Sequence, residues 1–287
     1  MHSVVCIKQV PDSSQIRIHP VTNTVMRQGV PSIVNPYDLF SLEAALCLRD
    51  QFGGKVTVIT MGPQMATEAL AKCLSHGADE TILLSDRIFA GSDTLATSNA
   101  LSYAIRNIEK TSPVDLVFCG KQSIDGDTGQ VGPGLAWRLG LQQLTYVTKI
   151  EQIDAQAREI TVHRRTEGGV QVIRTALPAL ITMLEGVNEI RFGSMEDAFR
   201  AAETDIECWN AGDIGPVDAA TVGLKGSPTK VKKVFAPQPR TEKARMIEAD
   251  GGTPRALADA ILDVLIADYP TLLDDIKKSV AARWAEA

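Results

Sequence analysis

The chain has 287 residues, of which 44% are hydrophobic and 22% are charged, an ordinary composition for a globular protein of one large or two medium domains. The net charge of -6 argues against a nucleic-acid partner bound through a basic surface. No apolar run approaches the roughly 20 residues needed to cross a bilayer. Because the first residues also lack the layout of a signal peptide, we expect a cytoplasmic protein.

Strand and helix patterns alternate through the first half of the chain. Such alternation predicts an α/β fold with a mostly parallel, doubly wound sheet and right-handed crossovers. Ligands of such sheets bind beyond the carboxyl ends of the strands, which here should meet at one rim. The predicted elements are, in order, a strand at 4–9, a two-stranded excursion at 16–27 with a turn at Thr22-Asn23, a helix that begins at Asn35-Pro36, a strand at 56–60, a helix that ends near His76, a strand at 81–84, a helix from 93 or 94 to about 107, and a strand at 114–119.

The alternation of strand and helix patterns changes after Thr145. Two β-rich runs flank Glu167-Gly168-Gly169, which predicts a hairpin, and a further strand is expected at 178–182. We expect residues 1–211 to form the α/β domain and residues 212–287 to form an arm and helices that pack on a partner subunit. The remaining predicted elements are a short helix that begins at Ser194, an irregular segment at 212–239, a linker at 240–252, a helix that begins at Thr253-Pro254 and a helix at 272–284.

Cysteine and histidine spacing predicts neither a metal site nor a disulfide framework. The five cysteines contain no Cys-x-x-Cys pair, and the four histidines are scattered without metal-ligand spacing. We therefore expect the cysteines to serve as small buried hydrophobic residues.

The most informative segment is the glycine-rich loop at 120–133, which reads GKQSIDGDTGQVGP and lies between a predicted strand and a predicted helix. Glycines let a backbone approach a ligand closely, and the free N–H groups of a helix's first turn favour a phosphate. The loop contains neither the P-loop fingerprint nor the Gly-x-Gly-x-x-Gly fingerprint, so the alternative of a plain turn stays open. The segment predicts a nucleotide site at the carboxyl rim of the sheet.

A longer motif suggests a family. Residues 162–182 read VHRRTEGGVQVIRTALPALIT, and this segment matches the signature of electron-transfer flavoprotein β subunits at every defined position. The chain resembles that family over nearly its whole length, and the resemblance implies an adenine nucleotide α-hydrolase-like fold. Other matching segments are KQVPD at 8–12, NPYD at 35–38, MGP at 61–63, the loop at 120–133, Asn188-Glu189, Arg191 and GLKGSPTKVK at 223–232.

The family has two branches, which differ in the nucleotide of the β subunit. One branch holds a structural AMP there, and the other holds a second FAD and bifurcates electrons. The segments at 89–97, 125–133 and 223–232 resemble the second branch, and the N-terminal third is most similar to its FixA group. Ser123 and Gly129 stand where many relatives have alanine, and Ile190 replaces a common proline in a segment that docks partner dehydrogenases in relatives.

The resemblance implies a function in electron transfer. FAD held by this chain would accept hydride from NADH and pass electrons both to the FAD of the α subunit, with a quinone-linked partner, and to ferredoxin or flavodoxin, in support of nitrogen fixation. The implied partners are a FixB-like α subunit, a quinone-oxidoreductase-like FixC and a ferredoxin-like FixX, through which the complex could associate with a membrane. A non-bifurcating β subunit that holds only AMP and a stress-type nucleotide sensor without a redox role are the alternatives.

The resemblance also implies site residues. Cys6, Asn35, Asp38 and Met61 would surround the adenosine end, although helix capping explains Asn35 equally well. Backbone N–H groups at 126–130 would approach the pyrophosphate. The full implied set of cofactor-binding residues is Cys6, Asn35, Asp38, Met61, Asp93, Thr94, Thr97, Gly120, Gln122, Asp125, Gly126, Asp127, Thr128, Gly129, Gln130 and Val131.

Several polar residues have more than one predicted role. We expect the Asp125 and Asp127 carboxylates to hydrogen-bond the loop or a ribose hydroxyl, because a carboxylate that faced a phosphate would repel it. Thr94 and Thr97 share a helix face and could reach the ribityl chain, or they could be ordinary helix residues. Arg164, Arg165 and Arg191 are candidates for positioning a flavin or a partner, against the alternative of solvated charges. We expect no general acid or base, because the flavin carries the chemistry.

Overall fold

The computed structural model describes residues 1–12, 17–18, 25–26, 31–230, 244–248 and 253–285. By their contacts the residues form two compact units, Met1–Ala236 and Pro237–Ala287. The elements of the first unit are β1 (His2–Cys6), β2 (Gln9–Pro11), β3 (Arg17–Ile18), β4 (Val25–Met26), β5 (Ser32–Val34), α1 (Pro36–Phe52), β6 (Lys55–Met61), α2 (Thr67–Ser75), β7 (Glu80–Leu84), α3 (Thr94–Glu109), β8 (Leu116–Gly120), α4 (Val131–Leu139), β9 (Gln142–Asp154), β10 (Glu159–Thr166), β11 (Gly169–Ala176), β12 (Ala179–Met183), α5 (Met195–Glu203), β13 (Glu207–Trp209) and α6 (Gly223–Gly226).

A nine-stranded sheet in the order β11-β10-β9-β12-β8-β1-β6-β7-β13 is the frame of the first unit. All pairings from β9 across to β13 are parallel, and β9, β10 and β11 pair antiparallel at the other edge. The predicted α/β class is therefore confirmed. From β1 the chain builds outward through β6 and β7 in one direction, and β8 and β12 lie in the other. The topological switch point thus falls between β1 and β8.

The sheet is parallel because its central strands are apolar and are covered on both faces. Strands β1, β8 and β12 are buried at every position, as expected when helices pack on both sides. One core cluster contains Leu42 and Leu46 of α1 with Leu70 of α2, and the other contains Ile105 of α3 with Leu135 of α4. Helices α1 and α2 therefore cover one face, and α3 and α4 cover the other.

Most of the predicted elements are present, with some differences. The predicted strand at 4–9 is wrong at its end, because the main-sheet strand stops at Cys6 and Gln9–Pro11 pairs with β5 instead. The two-stranded excursion is present as β3 and β4, although the predicted turn at Thr22-Asn23 lies outside the described residues. The hairpin is confirmed, since β10 and β11 pair antiparallel around the predicted turn.

The segment that follows α5 packs into the core of the first unit. Ile214 and Val222 are 3% and 1% exposed and lie in the core cluster on the α3 side of the sheet. The predicted domain boundary between residues 211 and 212 stays a prediction, as does the packing of residues 212–287 on a partner subunit. Most of the predicted linker at 240–252 lies outside the described residues.

The second unit contains two helices, α7 (Pro254–Asp268) and α8 (Leu272–Ala285). The Thr253 hydroxyl caps α7 by accepting a hydrogen bond from the Ala256 N–H at 3.3 Å, as the sequence predicts. Apolar side chains of both helices are exposed, among them Leu262 and Ile276. In the described part of the chain, no helix has the length and apolar character to span a membrane.

Replacement of Phe118 by alanine should destabilise the fold strongly. Phe118 is fully buried in β8, two residues before the glycine-rich loop begins. The cavity left behind should lower the free energy of unfolding by about 3–5 kcal/mol, measured by urea unfolding. Phe192→Ala is the matched control, because Phe192 is 95% exposed and a surface truncation should stay within about 0.5 kcal/mol. Equal losses in the two variants would contradict the described core.

Candidate functional site

A cavity of about 1000 Å³ lies at the carboxyl rim of the sheet, beyond the ends of β1, β6, β7 and β8. Its position is the one expected for an open α/β sheet with a switch point between β1 and β8. Apolar side chains such as Phe89 and Leu101 form part of its wall. The cavity is lined by every residue of the predicted cofactor set except Asp125 and Asp127; contact of these residues with a nucleotide stays a prediction.

The rim is closely packed where β8 meets the start of α1. A Cβ atom at Gly120 would lie 2.4 Å from the Asp38 Oδ1 and 2.7 Å from the Tyr37 Cβ. Only glycine therefore lets the first turn of α1 approach the end of β8 this closely. This contact explains why the loop begins with glycine.

The Asp38 carboxylate joins the two strands of the switch point. Its Oδ2 accepts a hydrogen bond from the Lys8 N–H at 2.7 Å, and its Oδ1 accepts one from the Gly120 N–H at 3.0 Å. Burial raises the pKa of Asp38 to about 7, although hydrogen bonds from Asn35, Lys8 and Gly120 oppose this shift. Asp38 thus fixes the chain just beyond β1 relative to the end of β8.

The Asn35 side chain fixes the glycine-rich loop. Its Nδ2 donates to the Gln122 carbonyl at 2.9 Å, and its Oδ1 accepts from the Ile124 N–H at 3.1 Å. The alternative of a side-chain cap on α1 is wrong, because Asn35 makes no such hydrogen bond although it occupies the N-cap position. Both the nitrogen and the oxygen of its amide thus bond a loop more than eighty residues away in sequence.

The second half of the loop presents a run of unpaired backbone donors. Within the described residues, the N–H groups of Thr128, Gly129, Gln130, Val131 and Gly132 have no acceptor. Gly129 has φ +62°, a left-handed conformation that favours glycine. The run ends at the positive end of the α4 dipole. Consecutive free N–H groups at a helix start form a strong anion site.

The acidic side chains around this run are all held by protein donors. Asp125 pairs with the Lys8 ammonium at 2.7 Å, and the Asp127 Oδ1 accepts from the Gln122 side chain at 2.7 Å. Both carboxylates therefore bond the loop, Asp127 through Gln122 and Asp125 through Ser123, and Asp125 also bridges to the segment after β1. Although burial raises the pKa of Asp125, hydrogen bonds from Lys8 and Ser123 hold it below its ordinary value.

The start of α3 forms the opposite side of the cavity. The Asp93 Oδ1 accepts from the Leu95 and Ala96 N–H groups and so caps the helix, as the sequence allows. The Thr94 hydroxyl donates to the Gln130 Oε1 at 2.8 Å, which joins α3 to the glycine-rich loop. The Thr97 hydroxyl also lines the cavity and has no hydrogen-bond partner in the described part of the chain.

The three candidate arginines lie away from the cavity lining. Arg164 donates to the Thr145 carbonyl and hydroxyl, each at 3.0 Å. Arg191 pairs with Glu43 at 3.0 Å and with Asp50 at 2.7 Å. Arg165 is exposed.

The cofactor-binding set implied by the resemblance omits several residues that line the cavity, among them Lys8, Arg87, Ser123 and Thr229. Lys8, Arg87 and Ser123 follow strand ends or lie within the glycine-rich loop, which the strand pattern places at the rim. Thr229 follows no strand, and no local pattern connects it with the rim.

The fold and the rim define an α/β protein with a cavity at the carboxyl ends of its parallel strands and a run of free backbone donors at the edge of that cavity. A family model described as electron transfer flavoprotein domain matches residues 22–214. Protein FixA of Azotobacter vinelandii is 61% identical over 278 residues, which cover 97% of this chain and 99% of the relative. The electron transfer flavoprotein subunit beta of Clostridium acetobutylicum is 48% identical over 233 residues, or 81% of this chain and 87% of the relative.

The chain therefore belongs to the electron transfer flavoprotein family, and the predicted β-subunit role is confirmed. A second FixA relative, from Azorhizobium caulinodans, is 61% identical over 277 residues, which cover 96% of this chain and 98% of that protein.

The wild-type protein should lose stability relative to Asp38→Asn as the pH rises from about 4 to about 7. Because the pKa of Asp38 is raised from 3.8 to about 7, the folded state keeps a proton in this window that the unfolded chain has released. Below the window both states are protonated, and above it neither state is. The thermal midpoint of the wild type minus that of Asp38→Asn should therefore fall as the pH rises through this window, and a difference independent of pH would contradict the shift.

Proposed function

We propose that the cavity binds FAD and that this chain serves as the β subunit of an electron-bifurcating flavoprotein. The observation that carries the proposal is the run of unpaired N–H groups from Thr128 to Gly132 at the edge of a cavity of about 1000 Å³. Five backbone donors beside the α4 N-terminus suit the two adjacent phosphates of a dinucleotide.

The size of the cavity favours FAD over AMP. Pockets for drug-sized ligands range from about 300 to 1000 Å³, and this cavity reaches the upper end of that range. AMP has one phosphate and one nucleoside, and it would fill only part of the space. The alternative of a non-bifurcating β subunit with structural AMP predicts that much of the wall near α3 has no ligand contact.

Bound FAD would supply hydride acceptance and electron transfer. The chain's own residues would bind and orient it. Backbone N–H groups of the loop hold the phosphates, and Asn35 and Asp38 keep the loop and the strand ends in place. The free Thr97 hydroxyl is available to a ligand hydroxyl or phosphate oxygen, and Phe89 and Leu101 exclude water from the wall.

The electron donor and acceptors follow from similarity to one group of relatives. Six proteins named FixA are 58–61% identical to this chain, whereas two proteins named electron transfer flavoprotein subunit beta are 47–48% identical. On the resemblance to the bifurcating branch, we propose NADH as the hydride donor and ferredoxin or flavodoxin as the low-potential acceptor, in a pathway that supports nitrogen fixation. A FixB-like α subunit completes the heterodimer, and FixC-like and FixX-like proteins take the other electron.

Counting the nucleotides of the purified complex tests the proposal. Co-expression with the α subunit should yield a 1:1 heterodimer that releases two FAD and no AMP on denaturation, measured by chromatography. One FAD with one AMP would establish the non-bifurcating alternative. Absence of any flavin would contradict both and would favour a nucleotide sensor.

Replacement of Gly126 by valine should expel the nucleotide without disturbing the fold. Gly126 lines the cavity, and among the described residues a Cβ atom there would meet only the Ser123 Oγ, at 3.4 Å. The side chain of valine would instead occupy space beside the phosphate site. The heterodimer should lose one FAD and keep that of the α subunit, measured by flavin absorbance.

Gly168→Val is the matched control for this substitution, because Gly168 lies in the exposed β10–β11 turn and a Cβ atom there would meet no described residue within 4 Å. This control should retain both flavins. Full flavin content in Gly126→Val would show that the loop does not hold the nucleotide.

A further inference from the structure

One wall of the cavity is a short irregular segment after β7. Residues 85–93, here called the wall segment, contribute Phe89, Ser92 and Asp93 among others to the cavity lining. The segment contains a single 3₁₀ turn at Arg87–Phe89 and no strand or α-helix. It has little regular structure of its own, so its shape depends on what packs against it.

A distant part of the chain holds this wall. Residues 222–229, here called the clamp segment, donate from the Gly223 N–H to the Ser92 Oγ at 3.0 Å and from the Leu224 N–H to the Ala90 carbonyl at 3.2 Å. The Asp93 N–H donates in return to the Ser227 Oγ at 2.8 Å. The two segments are more than 130 residues apart in sequence.

The two segments fit too closely for larger residues. A Cβ atom at Gly223 would lie 1.9 Å from the Ile88 carbonyl oxygen, and one at Gly91 would lie 2.6 Å from the Leu224 side chain. Val222 is 1% exposed and anchors the start of the clamp segment in the core. The wall segment can therefore shift only if the clamp segment shifts with it.

Asp93 connects the clamp segment to the cavity. Its Oδ1 accepts two hydrogen bonds from the first turn of α3, and its Oδ2 accepts two from Thr229, from the N–H at 3.0 Å and the hydroxyl at 2.8 Å. A carboxylate has about four acceptor positions, and all are used here. Thr229 itself lines the cavity. Asp93 thus has no acceptor position left for a ligand and acts on the site through the groups that it holds.

We infer that the clamp segment is a positioning element of the nucleotide site, with Asp93 and Thr229 as its positioning residues. Nucleotide binding orders the wall segment, and the ordered wall segment fixes the position of the clamp segment. Binding in the cavity and packing of the clamp segment therefore stabilise each other. Such coupling is reciprocal by thermodynamic necessity. The inference rests on the proposed nucleotide binding and adds to it a dependence on a segment far away in sequence.

Hydrogen exchange in the wild-type heterodimer tests the coupling directly. The Leu224 and Thr229 amides, which donate to the wall segment, should exchange more slowly with FAD bound than after its removal. The Ala220 amide, which donates to the Asp218 carboxylate at 2.9 Å, should not change and serves as the internal control. Equal exchange rates of the Leu224 and Thr229 amides with and without bound FAD would overturn the inference. Failure of the wild-type chain to hold FAD in this cavity would instead overturn the proposed function.

Substitutions at Thr229 provide a second test. Thr229→Val removes one hydroxyl donor to a carboxylate and should raise the Kd for FAD about five- to tenfold. Thr229→Ser keeps that donor and should restore the wild-type Kd. Thr221→Val is the matched control, because the Thr221 hydroxyl donates at 2.8 Å to the Asp218 carbonyl, outside the wall. Wild-type affinity in Thr229→Val, or an equal loss in Thr221→Val, would overturn the positioning role.

Discussion

The constraint on which the proposed site depends is that an acidic chain must bind phosphates. Asp and Glu outnumber Lys and Arg by 35 to 29, and several carboxylates lie at the rim of the cavity. A free carboxylate beside a pyrophosphate would repel it, and a buried one without partners would be costly. The structure meets both demands in the same way. Asp38, Asp93, Asp125 and Asp127 each accept hydrogen bonds from protein donors, so that backbone N–H groups remain to bind the ligand.

The same carboxylates hold the rim together. Asp38 joins the two strands of the switch point, and Asp93 joins the α3 start to a segment that follows the last strand of the sheet. Each of these groups comes from the beginning of a helix that packs on the sheet. The parallel sheet positions the helix starts, and the helix starts position the loops. The site therefore depends on helix–sheet packing as much as on its own residues.

The sequence predicts the sheet and the position of the site, because these follow from local patterns. Alternating elements imply a parallel sheet, and glycines in the loop after β8 indicate a ligand. Strand β9 escapes prediction since its thirteen residues are mostly exposed or half-buried and lack regular alternation. The role of Asn35 is not predicted either. The local signal correctly places Asn35 at the N-cap position of α1, but its side chain bonds the glycine-rich loop and not the helix. Thr229 lies in a segment that resembles the family, but no local pattern places it at the rim, because its contact with Asp93 spans 136 residues.

A crystal structure of the heterodimer with its nucleotides tests the central claim most directly. The account predicts phosphate oxygens within about 2.7–3.2 Å of the backbone nitrogens in the run from Thr128 to Gly132, with the rim carboxylates still bound to their protein partners. Phosphates that lie elsewhere in the cavity, or that contact lysine and arginine side chains while these N–H groups bind water, would contradict it.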